Sequence, residues 1–439
     1  MNSSVRTWRL LAAISASSLV LAACGGGSDD DDTATGTSTA SATPSSSASA
    51  SASPAAPTNT ADGTLTIGTL LPQTGSLASL GPPEFAGVAL AVKEINDAGG
   101  VLGKPVVKID SDSGDTSTNI ASQSADRLLS QKVDAIVGAA SSSVSLTVID
   151  KITGAGVIQI SPANTAIALS DYPDKDLYFR TAPPDLLQGR ILGDKVIADG
   201  IDSVGILALQ DAYGTGLADQ AEKAIKAANG EVVEKIIYDP KAAEYSAEVS
   251  KIKAKDPKGI ILIGFEESAK IIQELVKQGI GPQTKPLYLV DGNLEADPVK
   301  ALGGPVLKGV QGTQPGAQAP GDFRQRVLGV DPSLKAFPYA AESYDAVMLV
   351  ALAAEAAKSD AGTAVAKQLE AVSKGGTKCK GFKQCVDLVK AGTDIDYDGV
   401  SGPVELDNKG NPTEATIGIY TYGPDGKLLE KVDYKTGKL

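Results

Sequence analysis

Three short loops carry the groups with chemistry to offer. Gly138-Ala139-Ala140-Ser141-Ser142-Ser143 follows the buried run Val133 to Val137 and leads into a helical stretch. Serines at a helix start cap it by accepting from its free N–H groups. The same hydroxyls and N–H groups also suit a carboxylate or another small anion, and spacing alone leaves both readings open. Ser161-Pro162-Ala163-Asn164-Thr165 is a second small polar loop at an equivalent place, after Val157 to Ile160. Asp291-Gly292-Asn293 follows Pro286 to Val290. Asp291 is either a turn residue or the acid that pairs with a bound ammonium.

The absent chemistry is equally informative. The 439 residues include no histidine, which removes Ser-His-Asp and Cys-His catalysis and His-ligated zinc or haem. Binding is therefore expected rather than catalysis; an enzyme working with carboxylates, Lys or Ser is the weaker alternative. Gly154-Ala155-Gly156 precedes a strand instead of opening a helix, so it is no nucleotide loop. Asp394, Asp396 and Asp398 have the spacing that opens a calcium loop, but Glu405 follows only past Pro403, and a solvated turn is the preferred reading. No metal and no cofactor are expected. The net charge of −13 comes without any basic patch, which argues against nucleic acid.

The N-terminal segment gives an address. Arg6 and Arg9 precede an apolar run from Leu10 to Leu21, and Leu21-Ala22-Ala23-Cys24 closes it. The run is short of the roughly 20 residues a membrane span needs. The segment resembles the lipobox of bacterial lipoproteins. That resemblance implies a signal peptide over 1–23, acylation (palmitate) of Cys24, and an extracytoplasmic protein lipid-anchored to the cell membrane. Gly25-Gly26-Gly27-Ser28, the run Asp29 to Asp32 and a stretch of Ser, Thr, Ala and Pro follow. They lack the large apolar residues that offset chain entropy, so 24–62 is expected to be a disordered tether. With Cys24 on lipid, Cys379 and Cys385 remain. In an exported chain they are expected to form a local disulfide rather than two free thiols.

The rest must position the three loops. Thr64 to Leu71 alternates as a strand, and Glu84 to Ala98 places Phe85, Val88, Ala89, Val92 and Ile95 on one helical face. Strand and helix then alternate through Ile160, and again from Ser203 to Val290. This predicts parallel sheets with helices on both faces, in two similar lobes. Helices are expected over Tyr339 to Ala357 and Thr363 to Val372. Strands are expected over Pro403 to Leu406, Ala415 to Tyr422 and Leu428 to Tyr434. Open parallel sheets bind ligands at the carboxyl ends of their strands, where the three loops lie.

Ala91-Val92-Lys93-Glu94-Ile95-Asn96-Asp97-Ala98-Gly99-Gly100-Val101-Leu102-Gly103-Lys104-Pro105-Val106 is similar to the helix-turn-strand segment of type I periplasmic binding proteins, the branched-chain amino acid (Leu/Ile/Val) receptors of ABC importers. Gly138 to Ser143, Ile160 to Thr165, Ala212-Tyr213-Gly214-Thr215-Gly216 and Tyr344-Asp345-Ala346-Val347 agree in order and spacing.

The resemblance implies an α/β fold of two Rossmann-like lobes joined by a three-crossover hinge near Arg180 to Pro184, Gly312 to Gly316 and Val400 to Pro403. It assigns 63–182 plus 315–400 to the N-terminal lobe and 183–314 plus 401–439 to the C-terminal lobe. It also implies a pocket. Ser142, Thr165 and the backbone of Ala163 would hold an α-carboxylate. Asp291 would pair with the α-ammonium, and Tyr213, Phe265 and Tyr339 would form aromatic walls. Leu80-Gly81-Pro82-Pro83 stands where a large aromatic often precedes the first helix. Glu266, Glu267 and Glu342 lie near cleft loops and are expected to be solvated; one pointing inward would mean a ligand with an extra positive charge.

The partners implied are an amino-acid-like ligand, an ABC permease and its ATPase, with the chain a monomer. A ligand-sensing receptor module of the same fold is the alternative.

Overall fold

The computed structural model describes residues 59–439. The expected signal peptide, Cys24 and most of the expected tether lie outside the described residues. Among the described residues no helix is long and apolar enough to cross a membrane.

The first layer contains β1 (Thr66–Leu71), α1 (Gly81–Asp97), β2 (Val107–Asp112), α2 (Ile120–Ser130), β3 (Ala135–Gly138), α3 (Ser142–Gly154), β4 (Ile158–Ser161) and β5 (Tyr178–Arg180). The strands form one parallel sheet in the order β2-β1-β3-β4-β5. Every residue of β3 and β4 is buried. Strands covered on both faces read as continuous apolar runs for that reason.

The second layer begins with α4 (Asp185–Ala198), β6 (Ser203–Leu209), α5 (Ala212–Ala227), β7 (Glu231–Tyr238), α6 (Ser246–Ala254), β8 (Gly259–Ile263), α7 (Ser268–Lys277) and β9 (Leu287–Val290). Three single-turn helices follow: α8 (Asp291–Leu294), α9 (Asp297–Lys300) and α10 (Gly304–Leu307). β10 (Gln311–Pro315) completes the parallel part. The chain then returns to the first layer as α11 (Gly321–Val330), α12 (Ala340–Ala357), α13 (Gly362–Ser373), β11 (Thr377–Cys379), α14 (Gly381–Lys390) and β12 (Ile395–Tyr397). It ends in the second as β13 (Glu414–Thr421) and β14 (Asp433–Lys438). The second sheet runs β14-β13-β10-β9-β8-β6-β7, with β13 and β14 antiparallel.

Each layer has its own core. Val88, Ala91 and Ile95 of α1, Phe323 and Val327 of α11 and Val347 to Ala354 of α12 pack in the first. Ile206 and Leu207, Leu217 and Ala221, Ile261 and Leu262, and Ile271 and Ile272 pack in the second.

The chain crosses between the layers three times: from β5 to α4, from β10 to α11, and from β12 to β13. Asp345, on α12, fixes the start of the third passage. Its buried carboxylate accepts from the Tyr397 hydroxyl (2.7 Å), from Val400 N–H (3.1 Å) and from both Ser401 N–H (2.7 Å) and Ser401 Oγ (2.6 Å).

Several expectations need correction. α4, α11 and α14 were absent from the sequence reading. Pro403 to Leu406 and Leu428 to Tyr434 are not continuous strands. Pro403, Leu406 and Leu428 each make an isolated bridge, and β14 starts only at Asp433. Gly312 to Gly316 is mostly β10 itself, and the passage follows it. Val404 and Leu406, grouped above with the C-terminal lobe, pack in the first core. Asp396 is no solvated turn residue: it lies buried in β12 and pairs with Lys378 at 3.0 Å. Among the described residues no acidic cluster could hold a metal ion.

Cys379 of β11 and Cys385 of α14 form a disulfide, their Cα atoms 5.3 Å apart. Closing so short a loop removes little freedom from the unfolded chain. Replacing both by Ser should lower stability by about 2 kcal/mol in a urea titration. An unchanged midpoint would mean that packing of α14 already holds the loop closed.

Candidate functional site

The three serines at the start of α3 divide their work. Ser141 caps the helix, accepting from Val144 N–H at 3.3 Å. Ser143 Oγ donates to Asp211 Oδ2 (3.2 Å) and accepts from Ala212 N–H (3.1 Å). These bonds tie the first layer to the start of α5. Asp211 is itself the cap of α5, accepting from Gly214 N–H at 2.6 Å. Only Ser142 of the three is left facing inward, 3% exposed, its Oγ accepting from Ala166 N–H at 3.2 Å.

The loop after β4 is fixed from both ends. Ser161 Oγ accepts from Ala163 N–H (3.2 Å) and Asn164 N–H (3.0 Å). Asn164 donates to the carbonyls of Ala139 (2.9 Å) and Ala140 (2.8 Å), which locks this loop to the serine loop. Buried Arg180 binds the carbonyls of Asn164 (3.3 Å) and Ala166 (2.9 Å). Thr165 is thus held rigidly between them. Its buried hydroxyl makes no hydrogen bond of ordinary geometry and lies beside the buried Asp185 carboxyl.

Asp291 opens α8, directly after β9. Its carboxylate is 8% exposed and takes three donors: Gln188 Nε2 (2.7 Å) and Tyr213 Oη (2.8 Å) on Oδ1, and Tyr339 Oη (2.7 Å) on Oδ2. Burial pushes its pKa up, and these three donors pull it back. The Tyr213 ring lies parallel to Phe265 with centroids 5.8 Å apart.

Ser142, Ala163 and Thr165 from the first layer, and Tyr213, Phe265, Asp291 and Tyr339, all line one cavity of about 20 Å³. The structure therefore brings together all seven residues singled out in the sequence. Leu77 and Leu80 line the same cavity, Leu80 belonging to the segment that stands in place of the large aromatic the resemblance implies. A second space of about 400 Å³ shares Ser141 and Phe265 with it.

Three buried acids change the electrostatics. Asp185, the first residue of α4, is fully buried and neither carboxylate oxygen has a hydrogen-bond partner. Burial pushes its pKa far up; the neighbouring Thr165 hydroxyl opposes this, and the charge of Asp291 adds to it. Nothing in the sequence pattern pointed to Asp185 or Gln188, because both lie on the helix that went unrecognised. Glu267 and Glu342 were expected in solvent, but both are buried. Glu267 Oε1 accepts from Tyr238 Oη (2.7 Å) and Phe265 N–H (2.9 Å), so it braces the loop that carries the Phe265 ring. Glu342 lies on the apolar face of α12, where burial pushes its carboxyl up to about 8. Glu266 is exposed, as expected.

A sequence model of a family described as "periplasmic binding protein" matches residues 64–426. The chain is 28% identical over 357 residues to the chemotactic signal transduction system substrate-binding protein BasB of Halobacterium salinarum, covering 78% of this chain and 83% of the relative. It is 27% identical over 375 residues to Leu/Ile/Val-binding protein homolog 1 of Brucella suis, covering 82% and 91%. Among solved structures, the branched-chain amino acid transporter substrate-binding protein LivJ of Streptococcus pneumoniae, in complex with isoleucine, superposes with a TM-score of 0.70 at 26% identity. That match covers 85% of this chain and all of LivJ. A solute-binding protein of an ABC transporter from R. palustris, in complex with benzoate, shares the fold at 20% identity, with a TM-score of 0.67 over 86% of this chain and 98% of that one.

Proposed function

Since the chain belongs to the periplasmic binding protein family, we propose that it captures an α-amino acid or a similar small polar ligand between its two lobes and delivers it to an ABC permease. One observation carries this reading. Residues from both layers converge on one small cavity lined by the Ser142 and Thr165 hydroxyls and the buried Asp291 carboxylate. Ser142 and Thr165 would receive the ligand carboxylate, beside the backbone of Ala163. Asp291 would receive the ammonium in place of some of its present donors. Tyr213, Phe265 and Tyr339 would enclose the rest.

The mechanism is hinge closure. Ligand would first meet the rigid Ser142–Thr165 side, because that side is held by Asn164 and Arg180 whatever the second lobe does. Closure would then bring Asp291 and Tyr213 over it, with Ser143–Asp211 as a contact made only in the closed form. We further propose that the lobes divide as read from the sequence, apart from the segment around Val404 and Leu406. Lipid on Cys24 would hold the receptor near its permease, raising effective concentration rather than affinity.

Isothermal calorimetry of the purified protein against the common α-amino acids tests the capture reading. At least one should bind with a Kd on the order of micromolar or tighter. Heat from none of them would overturn it. The name of the BasB relative favours a second reading, in which the closed form signals to a membrane receptor instead of feeding a permease. Uptake of the bound amino acid, lost on deleting this protein, separates import from sensing.

A further inference from the structure

The cavity is only partly enclosed and holds about 20 Å³, on the order of the room one water needs. An amino acid with a side chain needs more room than that, so the ligand must reach into a neighbouring space. The Ser142 and Thr165 loops are stapled to each other, and the Tyr213 ring is backed by Phe265. Phe265 also borders the space of about 400 Å³ described above, whose lining residues are mostly polar and loop-borne. Tyr339 borders a separate chamber of about 580 Å³ bounded by β10, α12 and the segment before β14. Its backbone is left-handed (φ 57°, ψ 9°) at the cap of α12. A large side chain rarely takes that conformation, and such outliers cluster at ligand clamps.

Glu342 lies three residues further along, in the first turn of α12, and borders the same chamber as Tyr339. It is 5% exposed and sits against Gly316. A Cβ on Gly316 would come within 2.6 Å of Glu342 Oε1, so the glycine leaves that oxygen open to the chamber. Glu84 of α1, fully buried and without a hydrogen-bond partner for either oxygen, lies on the Glu342 side as a second acidic group; burial, and then Glu342, push its pKa well up. Glu295, Glu430, Arg324 and Lys335 also line the chamber, and Arg324 rests over the Phe337 ring at 5.6 Å.

We propose that the chamber behind Tyr339 takes the distal end of the ligand, and that Glu342 receives an ammonium or guanidinium there. The ligand class is then an amino acid with a basic side chain. The proposal rests on the capture reading: the α-carboxylate and α-ammonium stay on Ser142, Thr165 and Asp291, while the Tyr339 ring swings to join the two spaces.

Calorimetry with leucine, ornithine, lysine and arginine, on wild type and on Glu342→Gln, tests it. Wild type should bind at least one basic amino acid about tenfold or more tighter than leucine, the worth of a charge-assisted hydrogen bond. Glu342→Gln should remove that preference and leave leucine affinity unchanged. Leucine bound as tightly as every basic amino acid would overturn the subsite and leave the capture reading standing. Equal weakening of all ligands by Glu342→Gln would also overturn it, showing a structural role only. Binding of none of the four, nor of any other α-amino acid, would remove the capture reading and the subsite with it.

Discussion

Asp291→Ala is expected to weaken ligand binding by about 2 to 5 kcal/mol, the usual cost of removing one partner from a buried, hydrogen-bonded charge pair. Three donors now converge on the carboxylate: Gln188, Tyr213 and Tyr339. They keep a buried negative charge in place at the closing lobe, ready for an ammonium. Without it those donors face one another, and the ligand cation meets no counter-charge. Asp291→Asn separates charge from shape, since it keeps an acceptor oxygen at the same place; it should lose most of the same affinity. The pH dependence follows the sign of the shift. Burial raises the Asp291 pKa, so on acidification it takes a proton sooner than an ordinary carboxylate, while the ligand ammonium stays charged. Affinity should therefore fall as pH drops from 7 toward 5 in wild type and stay flatter in Asp291→Asn. Calorimetry at both pH values reads this directly, and wild-type affinity in Asp291→Ala would falsify the pairing.

The site was more legible than the scaffold around it. Ser142, Thr165 and Asp291 stand right after β-branched runs, and in a parallel sheet those positions meet at one edge whatever the helices do. α4 was missed because Gly189 and Gly193 lower helix propensity. The structure shows their use: they are four apart, on one face, and a Cβ on either would run into Gln220 or Ala224 of α5. The glycines are a packing device, and only the partner helix reveals it. Asp185 and Gln188 went unnoticed with that helix. Glu267 and Glu342 were misplaced for a different reason. Acids are normally exposed, and each is buried by a neighbour distant in sequence: Tyr238 over Glu267, and the packing of α12 against α1 around Glu342. Composition has no access to such tertiary burial.

Arg180→Met should lower stability by about 3 to 5 kcal/mol, the range seen when one member of a buried polar set is removed and its partners stay. Arg180 is fully buried on β5, and every arm of its guanidinium is engaged. Nε donates to Asn411 Oδ1 (2.8 Å), one terminal nitrogen to the carbonyls of Asn164 and Ala166, and the other to Ser170 Oγ (2.6 Å). Its backbone N–H also binds the Gly410 carbonyl at 3.0 Å. Burial pulls its pKa down, and its neighbours Tyr178, Asp185 and Asp407 oppose that. Methionine fills similar volume but leaves two carbonyls, an amide oxygen and a hydroxyl without their donor, so a hydrophobic swap cannot be neutral here. Lysine should not rescue, because a single ammonium nitrogen cannot reach the four acceptors that three separate guanidinium nitrogens serve. The consequence reaches the ligand, since Thr165 lies between the two carbonyls that Arg180 holds. Under conditions where Arg180→Met remains folded, affinity should drop alongside stability, whereas the double Cys379/Cys385 variant should lose stability alone. A urea midpoint for Arg180→Met within about 1 kcal/mol of wild type, the size of an ordinary surface change, would mean the loop keeps its shape without the clamp, and rigid presentation of Thr165 would need another cause.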